Sequence, residues 1–261
     1  MKTSATGPST LLDQITPVIL TRDEAANIGR TLGQLAWAKE VLVVDSGSTD
    51  GTPEIARGFA NVRLLQRTFD EHAAQWNFAV AQVRTSWFLT LDADYYCSDA
   101  LATELSSLVV REGVDGYVSD FRYAVHGKVL RASLYPSKVV LARTGHARFR
   151  QDGHTQRLEV DGKTAALRTP IVHDDRKDFR SFLARQKRYM AREADKLRQA
   201  DWRSLSSAGR IRKLIVVAPP AVLIHTLLVR GVILDGRAGV RYAFERFVAE
   251  MILSLELIRR R

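Results

Sequence analysis

A chain of 261 residues with 46% apolar and 26% charged side chains has globular composition and length enough for a sizeable core, excluding a wholly disordered or collagenous protein. A single cysteine, Cys97, excludes an internal disulfide framework and points to a reducing compartment. The net charge of +10 is uneven: residues 1–175 hold 19 Lys and Arg against 21 Asp and Glu, residues 176–213 hold 13 against 4, and residues 214–261 hold 7 against 4.

Residues 1–13 carry one lysine among small polar residues, without the apolar stretch of a secretory signal, and read as a flexible tail. Thr16 to Thr21 reads as a short buried strand, and Ile28, Leu32 and Leu35 recur at helical spacing within 23–37. Val41 to Asp45 is a second apolar strand that stops at an aspartate. Thr52 as N-cap with Pro53 behind it starts a helix to about Phe59. A third strand over 62–65, a helix over 70–83 and a fourth strand over 87–91, again ending at an aspartate, complete the series. Strands alternating with helices predict an α/β fold with a mostly parallel sheet covered on both faces.

The basic stretch 176–213 places Phe179, Phe182, Leu183, Gln186, Met190 and Leu197 at helical spacing, so one face can pack while the arginines stay outside. Leu214 to Val229 follows without a charge. As a helix it spans ~24 Å, short of a bilayer core, and Pro219 and Pro220 interrupt it. An interfacial segment fits better than a spanning one. After the turn signal at 234–239, Val240, Phe244, Phe247, Val248, Met251, Ile252, Leu255 and Ile258 form a further helical pattern. Packing of both segments on the protein's own core is the plainer alternative. No aromatic residues interleave with the basic stretch in a stacking pattern, so nucleic acid is not an expected partner; an anionic membrane surface is.

In open α/β sheets ligands bind outside the carboxyl ends of the strands. Three polar clusters fall there: Thr21-Arg22-Asp23-Glu24, Asp45-Ser46-Gly47-Ser48 and Asp92-Ala93-Asp94. GxGxxG and Walker loops are absent, which disfavours a nicotinamide enzyme or an ordinary ATPase. A divalent cation on Asp92 and Asp94 would then neutralise a bound phosphate. Asp45 reads either as a cap for the next helix or as a ligand to a base or ribose.

The segment VILTRDEAANIGRTLGQLAWAKEVLVVDSGSTDGTPEIAR, followed by SWFLTLDADYYCSDAL, resembles family 2 glycosyltransferases of the GT-A fold. The closest pattern is that of the bacterial glucosyltransferase-like members of lipopolysaccharide core assembly, and the likeness runs over most of residues 14–250. It implies a catalytic domain over 14–175, followed by a basic helical segment (176–213) and interfacial helices (214–261). The implied reaction is an inverting transfer of a hexose from a nucleotide sugar, a UDP-hexose, to a hydroxyl of a lipid-linked or saccharide acceptor. The implied location is the cytoplasmic membrane face. Thr21, Arg22, Asp23, Glu24, Asp45, Ser46, Gln75 and Asp92 would hold the nucleotide sugar. Asp92, Asp94 and His173 would hold Mg2+ or Mn2+.

Two departures from the family pattern stand out. Trp76 occupies the slot before Asn77 where the family commonly has a basic residue, leaving Gln75 to reach the donor. Thr155 stands where a glutamate often follows the histidine, so Asp152, supported by His154, is the candidate general base; a tight turn at Asp152-Gly153 is its structural alternative. His173 reads either as a partner of Asp174 or Asp175 or as a metal or diphosphate ligand. One rival reading is a sugar-phosphate nucleotidyltransferase, whose usual glycine-rich first loop is here TRDEAAN. Another is a non-enzymatic basic protein binding membrane or nucleic acid.

Overall fold

The computed structural model describes residues 10–152 and 155–260. A helical turn, Leu11–Gln14, precedes β1 (Ile15–Thr21), α1 (Ile28–Gly33), β2 (Val41–Asp45), α2 (Thr52–Arg57), β3 (Val62–Gln66), α3 (His72–Ala81) and β4 (Trp87–Asp92). Next come β5 (Tyr95–Tyr96), α4 (Asp99–Ser107), β6 (Val114–Ser119), β7 (Phe121–Val125) and β8 (Lys128–Val129). Then follow β9 (Lys138–Arg143), β10 (Ala147–Asp152), β11 (Thr155–Val160), β12 (Lys163–Ala166) and β13 (Ile171–His173). The rest is helical: α5 (Phe179–Gln199), α6 (Ser207–Lys213), α7 (Ala218–Ile224), a π turn over His225–Val229, and α8 (Arg237–Arg259).

The chain divides into two compact units, one of residues up to 121 with 136–150 and 157–173, the other of 122–135, 151–156 and 174 onward. The excursions 122–135 and 151–156 thus group with the helical unit, not with the rest of 14–175. In the first unit a seven-stranded sheet runs in the order β12-β6-β9-β4-β1-β2-β3. β1 pairs parallel with β2 and β4, and β2 with β3, while β9 runs antiparallel between β4 and β6. The central strands are apolar throughout because both sheet faces are covered: Val18, Ile19, Leu42, Val43, Val44, Phe88, Leu89 and Leu91 have no exposed surface. Each such side chain contributes about 1.5–3 kcal/mol relative to exposure.

Two expectations change here. Leu11 is buried and Thr10 and Asp13 cap its turn, so residues 10–13 are not a flexible tail. The helix expected over 23–37 shortens to α1. Asp23 adopts φ +53°, and the N–H groups of Asp23, Glu24 and Ala25 donate to Ser48 Oγ, Thr52 Oγ1 and Asp50 Oδ2, which holds 23–25 as a loop.

In the second unit α5 packs on α8 through Ala194, Leu197, Leu253 and Leu257, while Tyr242 and Ala243 close a second cluster with Tyr123, Leu130 and Val232. Gly239 sits in the first turn of α8 directly against the Val232 carbonyl; a Cβ there would lie 1.7 Å from that oxygen. Gly239→Ala is therefore expected to destabilise the protein by about 1–3 kcal/mol, read as a lowered denaturation midpoint.

Cys97 is buried, and burial pushes its thiol up to about 12. It stays protonated at pH 8. Iodoacetamide is expected to leave the native chain unlabelled at that pH and to label it once denaturant unfolds it; labelling of the native chain at the unfolded rate would contradict this burial.

Candidate functional site

The carboxyl ends of β1 and β2 lie side by side, Thr21 in register with Asp45. Asp45 has no exposed surface, and its carboxylate is consumed locally. Oδ2 accepts the N–H groups of Gly47 and Ser48, both at 3.0 Å, and Oδ1 accepts the Ser48 hydroxyl at 2.5 Å. Gly47, at φ +81°, allows the tight turn this requires. Ser48 Oγ in turn accepts Asp23 N at 2.8 Å, and Asp23 Oδ1 accepts Thr49 N at 2.9 Å. Asp50 completes the lacing. Burial alone would raise its carboxyl, but the Thr52 hydroxyl and the Ala25 and Thr52 N–H groups outweigh that and hold it below the usual carboxylate range. Glu24 accepts from the Asn27 amide at 2.8 Å.

Asp45, Asp23 and Glu24, expected to touch a nucleoside, are therefore also the residues that stitch the two loops together. Thr21 differs from them: its Oγ1 is buried and, among the described residues, has no hydrogen-bond partner. That unmet hydroxyl lies beside the exposed Arg22.

Gln75 does not reach toward a ligand as expected. It is fully buried; its Nε2 donates to Ser46 Oγ at 3.0 Å and to the Arg67 carbonyl at 3.2 Å, while Oε1 accepts from the Arg67 guanidinium. Ser46 is likewise held by this amide. Trp76, in the slot of the family's basic residue, is a core side chain stacked on Phe149 at 5.1 Å. Asn77 imitates a strand partner, donating to Phe149 O at 2.9 Å and accepting Phe149 N at 2.8 Å.

Arg67, which the sequence reading missed, is the cation next to Gln75. It follows β3, takes the Asp45 carbonyl on its own N–H, and forks onto Asp70 at 3.0 and 2.7 Å. Its only sequence signal is an arginine just past the end of an apolar strand.

Beyond β4 the chain turns at Ala93–Asp94 into β5. Thr31, buried on α1, directs its hydroxyl at the carbonyls of Ala93 (2.7 Å) and Tyr95 (2.8 Å), fixing this turn. β5 pairs antiparallel with β13, His173 opposite Tyr95. The ring of His173 stands edge-on to Tyr95, and its Nε2 lies 2.9 Å from Asp94 Oδ2, both side chains largely buried.

At that separation the two groups are hydrogen-bonded to each other. A carboxylate oxygen and an imidazole nitrogen both ligate divalent cations, so the pair would hold one in exchange for this bond. Asp92 is not gathered with them: it closes β4 in register with Leu20, ahead of the turn. Among the described residues no group of three or more His, Cys, Asp or Glu stands ready to hold an ion, so the expected set of Asp92, Asp94 and His173 reduces to a pair.

Asp152 belongs to the second unit, at the end of β10, where Lys196 of α5 forms an ion pair with it at 2.5 Å. His154 lies outside the described residues. Asp174 and Asp175, the alternative partners of His173, accept from Gly127 N and Arg176 and from Arg185 and Lys177 N respectively.

Among known proteins, an uncharacterized glycosyltransferase of Rickettsia bellii is 32% identical over 110 residues, 42% of this chain and 37% of that protein. The lipopolysaccharide core biosynthesis glycosyltransferase LpsC of Rhizobium meliloti is 30% identical over 95 residues, 35% of each chain. The matched stretches thus span little more than a third of these relatives. The structure of Staphylococcus aureus TarS 1–349 in complex with UDP-GlcNAc aligns over 95% of this chain and 92% of its own, at 14% identity and a TM-score of 0.49. The sequence model of glycosyl transferase family 2 matches residues 17–173, more than half of the chain, the same stretch that carries the laced strand ends and the Asp94–His173 pair; the chain belongs to that family.

Proposed function

We propose that this protein transfers a hexose, with inversion, from a nucleoside-diphosphate sugar to an acceptor hydroxyl, with Mg2+ or Mn2+ held by Asp94 and His173. The donor class follows the family, and a UDP-hexose is the member that the sequence resemblance favours. The name of the Rhizobium relative supports a lipopolysaccharide-type or lipid-linked acceptor. The cytoplasmic face of a membrane is the location proposed for a reaction on such an acceptor.

The observation that carries the reading is the Asp94–His173 contact past the carboxyl end of β4, the strand hydrogen-bonded to β1 in the parallel sheet. When bound, the cation supplies Lewis-acid stabilisation for the charge that develops on the departing diphosphate. The residues of the chain do the rest. Thr21 Oγ1 donates or accepts at the nucleoside, and the turn gripped by Thr31 keeps Asp94 in place. Arg67 adds a positive charge at the carboxyl end of β3. In the reaction the acceptor oxygen forms a bond to the anomeric carbon, the bond from that carbon to the diphosphate oxygen breaks, and the hydroxyl proton passes to a base. Asp152, with His154, takes the role of base in this proposal.

Asp94→Asn should lower turnover with Mg2+ or Mn2+ by at least about 10²-fold, several kcal/mol of lost charge stabilisation, while thermal unfolding stays near wild type. Near-wild-type turnover in this variant would remove the cation from Asp94. Asp152→Asn and His154→Ala, measured for kcat and donor affinity, assign the base: its loss costs roughly 10²–10⁴ in kcat with little change in donor binding. A fall of that size in His154→Ala with Asp152→Asn within a few-fold of wild type would transfer the role to His154.

A further inference from the structure

α8 carries an apolar stripe that the described residues leave largely open: Val240, Phe244, Met251, Leu255 and Ile258 are exposed and Phe247 is half-buried. The six fall within a sector of about 80° and run for about 27 Å along the helix. Phe244 is 51% exposed and Leu255 60%. The opposite face is ordinary core, with Tyr242, Ala249, Leu253 and Leu257 buried. The sequence reading looked to the whole of 176–261 for surface contact, basic stretch and apolar segments together; within it, the apolar face of α5 packs on α8.

The charges of α8 are sorted about this stripe. Its glutamates are turned in and neutralised: Glu245 by Arg241 at 3.0 Å, Glu250 by Arg212 at 2.6 Å and Glu256 by Arg260 at 3.0 Å. Arg237 and Arg259, at the two ends of the stripe, are exposed, Arg259 with 82% of its side chain open. Beside Arg237 the surface opens into a shallow recess of about 460 Å³ walled by Arg237, Val240, Arg241 and Phe244, its lining almost wholly apolar. A second copy of the chain fits this face poorly, because parallel or antiparallel pairing of two stripes sets arginine ends against arginine ends. No helix among the described residues is long and apolar enough to cross a membrane.

We propose that this stripe of α8 is a docking surface for an anionic lipid bilayer, the helix lying in the interface with its apolar side chains in the acyl boundary and its terminal arginines among the phosphates. The docking presupposes the membrane-face action proposed above and specifies the surface responsible for it.

The test is flotation of the full chain with vesicles of phosphatidylcholine, or of phosphatidylcholine mixed with phosphatidylglycerol, at low and high salt, without donor or acceptor. The wild type is expected to float with the anionic vesicles, more weakly as salt rises, with a salt-resistant remainder. The double variant Phe244→Ser, Leu255→Ser keeps the charge and should bind at least about tenfold more weakly with unchanged thermal unfolding. Arg237→Gln should lower the salt-sensitive part alone. Wild-type chain that ignores anionic vesicles, or a serine variant that binds as well as wild type, overturns the proposal. So does a defined dimer in sedimentation that the serine substitutions dissolve, since a second copy then covers the stripe. Vesicle binding is read apart from transfer, so loss of docking with transfer to a soluble acceptor intact refutes the docking alone, and docking without any transfer refutes the reaction alone.

Discussion

The carboxylate of Asp45 has no exposed surface and is held by three hydrogen bonds drawn from Gly47 and Ser48. A buried carboxylate without such donors would be severely destabilising, so the turn at 46–48 has to form wherever β2 ends in aspartate. Much of the site follows from that turn. It offers Ser48 Oγ to Asp23, which bends the chain out of β1 away from a helix. It also leaves Ser46 to the buried amide of Gln75, which ties in Arg67. The polar groups at the strand ends are in this sense a single connected set, and a ligand entering there meets side chains already fixed.

The strands were legible because fully buried parallel strands permit little but apolar residues, and Val41–Val44 and Trp87–Leu91 stop abruptly at aspartates. The helices were less so. Periodicity in Ile28, Leu32 and Leu35 marks a buried face but says nothing of where the N-terminus is peeled away by side chains twenty-five residues further on. Gln75 shows the same limit at close range: helical spacing places it on α3, while its amide is spoken for by Arg67 and Ser46, neither of which any period relates to it. The contact between Asp94 and His173 joins residues 79 apart through the pairing of two very short strands, β5 and β13, too short to read from pattern.

In the helical unit the surplus of basic residues has two fates. Some arginines enter ion pairs within the unit: burial opposes the charge of Arg212, yet its hydrogen bonds to Glu250 and the nearby Glu193 outweigh that and raise its affinity for the proton. Arg260 likewise bridges Asp195 and Glu256. Because the acids are spent on these inner contacts, what remains outside is more uniformly positive than the sequence tally alone conveys. Net charge is a property of composition; its sign at a given face is a property of packing.

The Thr31 hydroxyl has one proton and two acceptors, the Ala93 and Tyr95 carbonyls on either side of Asp94. Such a three-centred bond resists unevenly. Drawing the turn away from α1 weakens both halves at once, a loss of about 0.5–1.5 kcal/mol for a typical bond, whereas sliding it along α1 strengthens one half as the other lengthens. Asp94 is thereby slung between two carbonyls that share one proton, so both of its flanking peptides answer to the same side chain of α1.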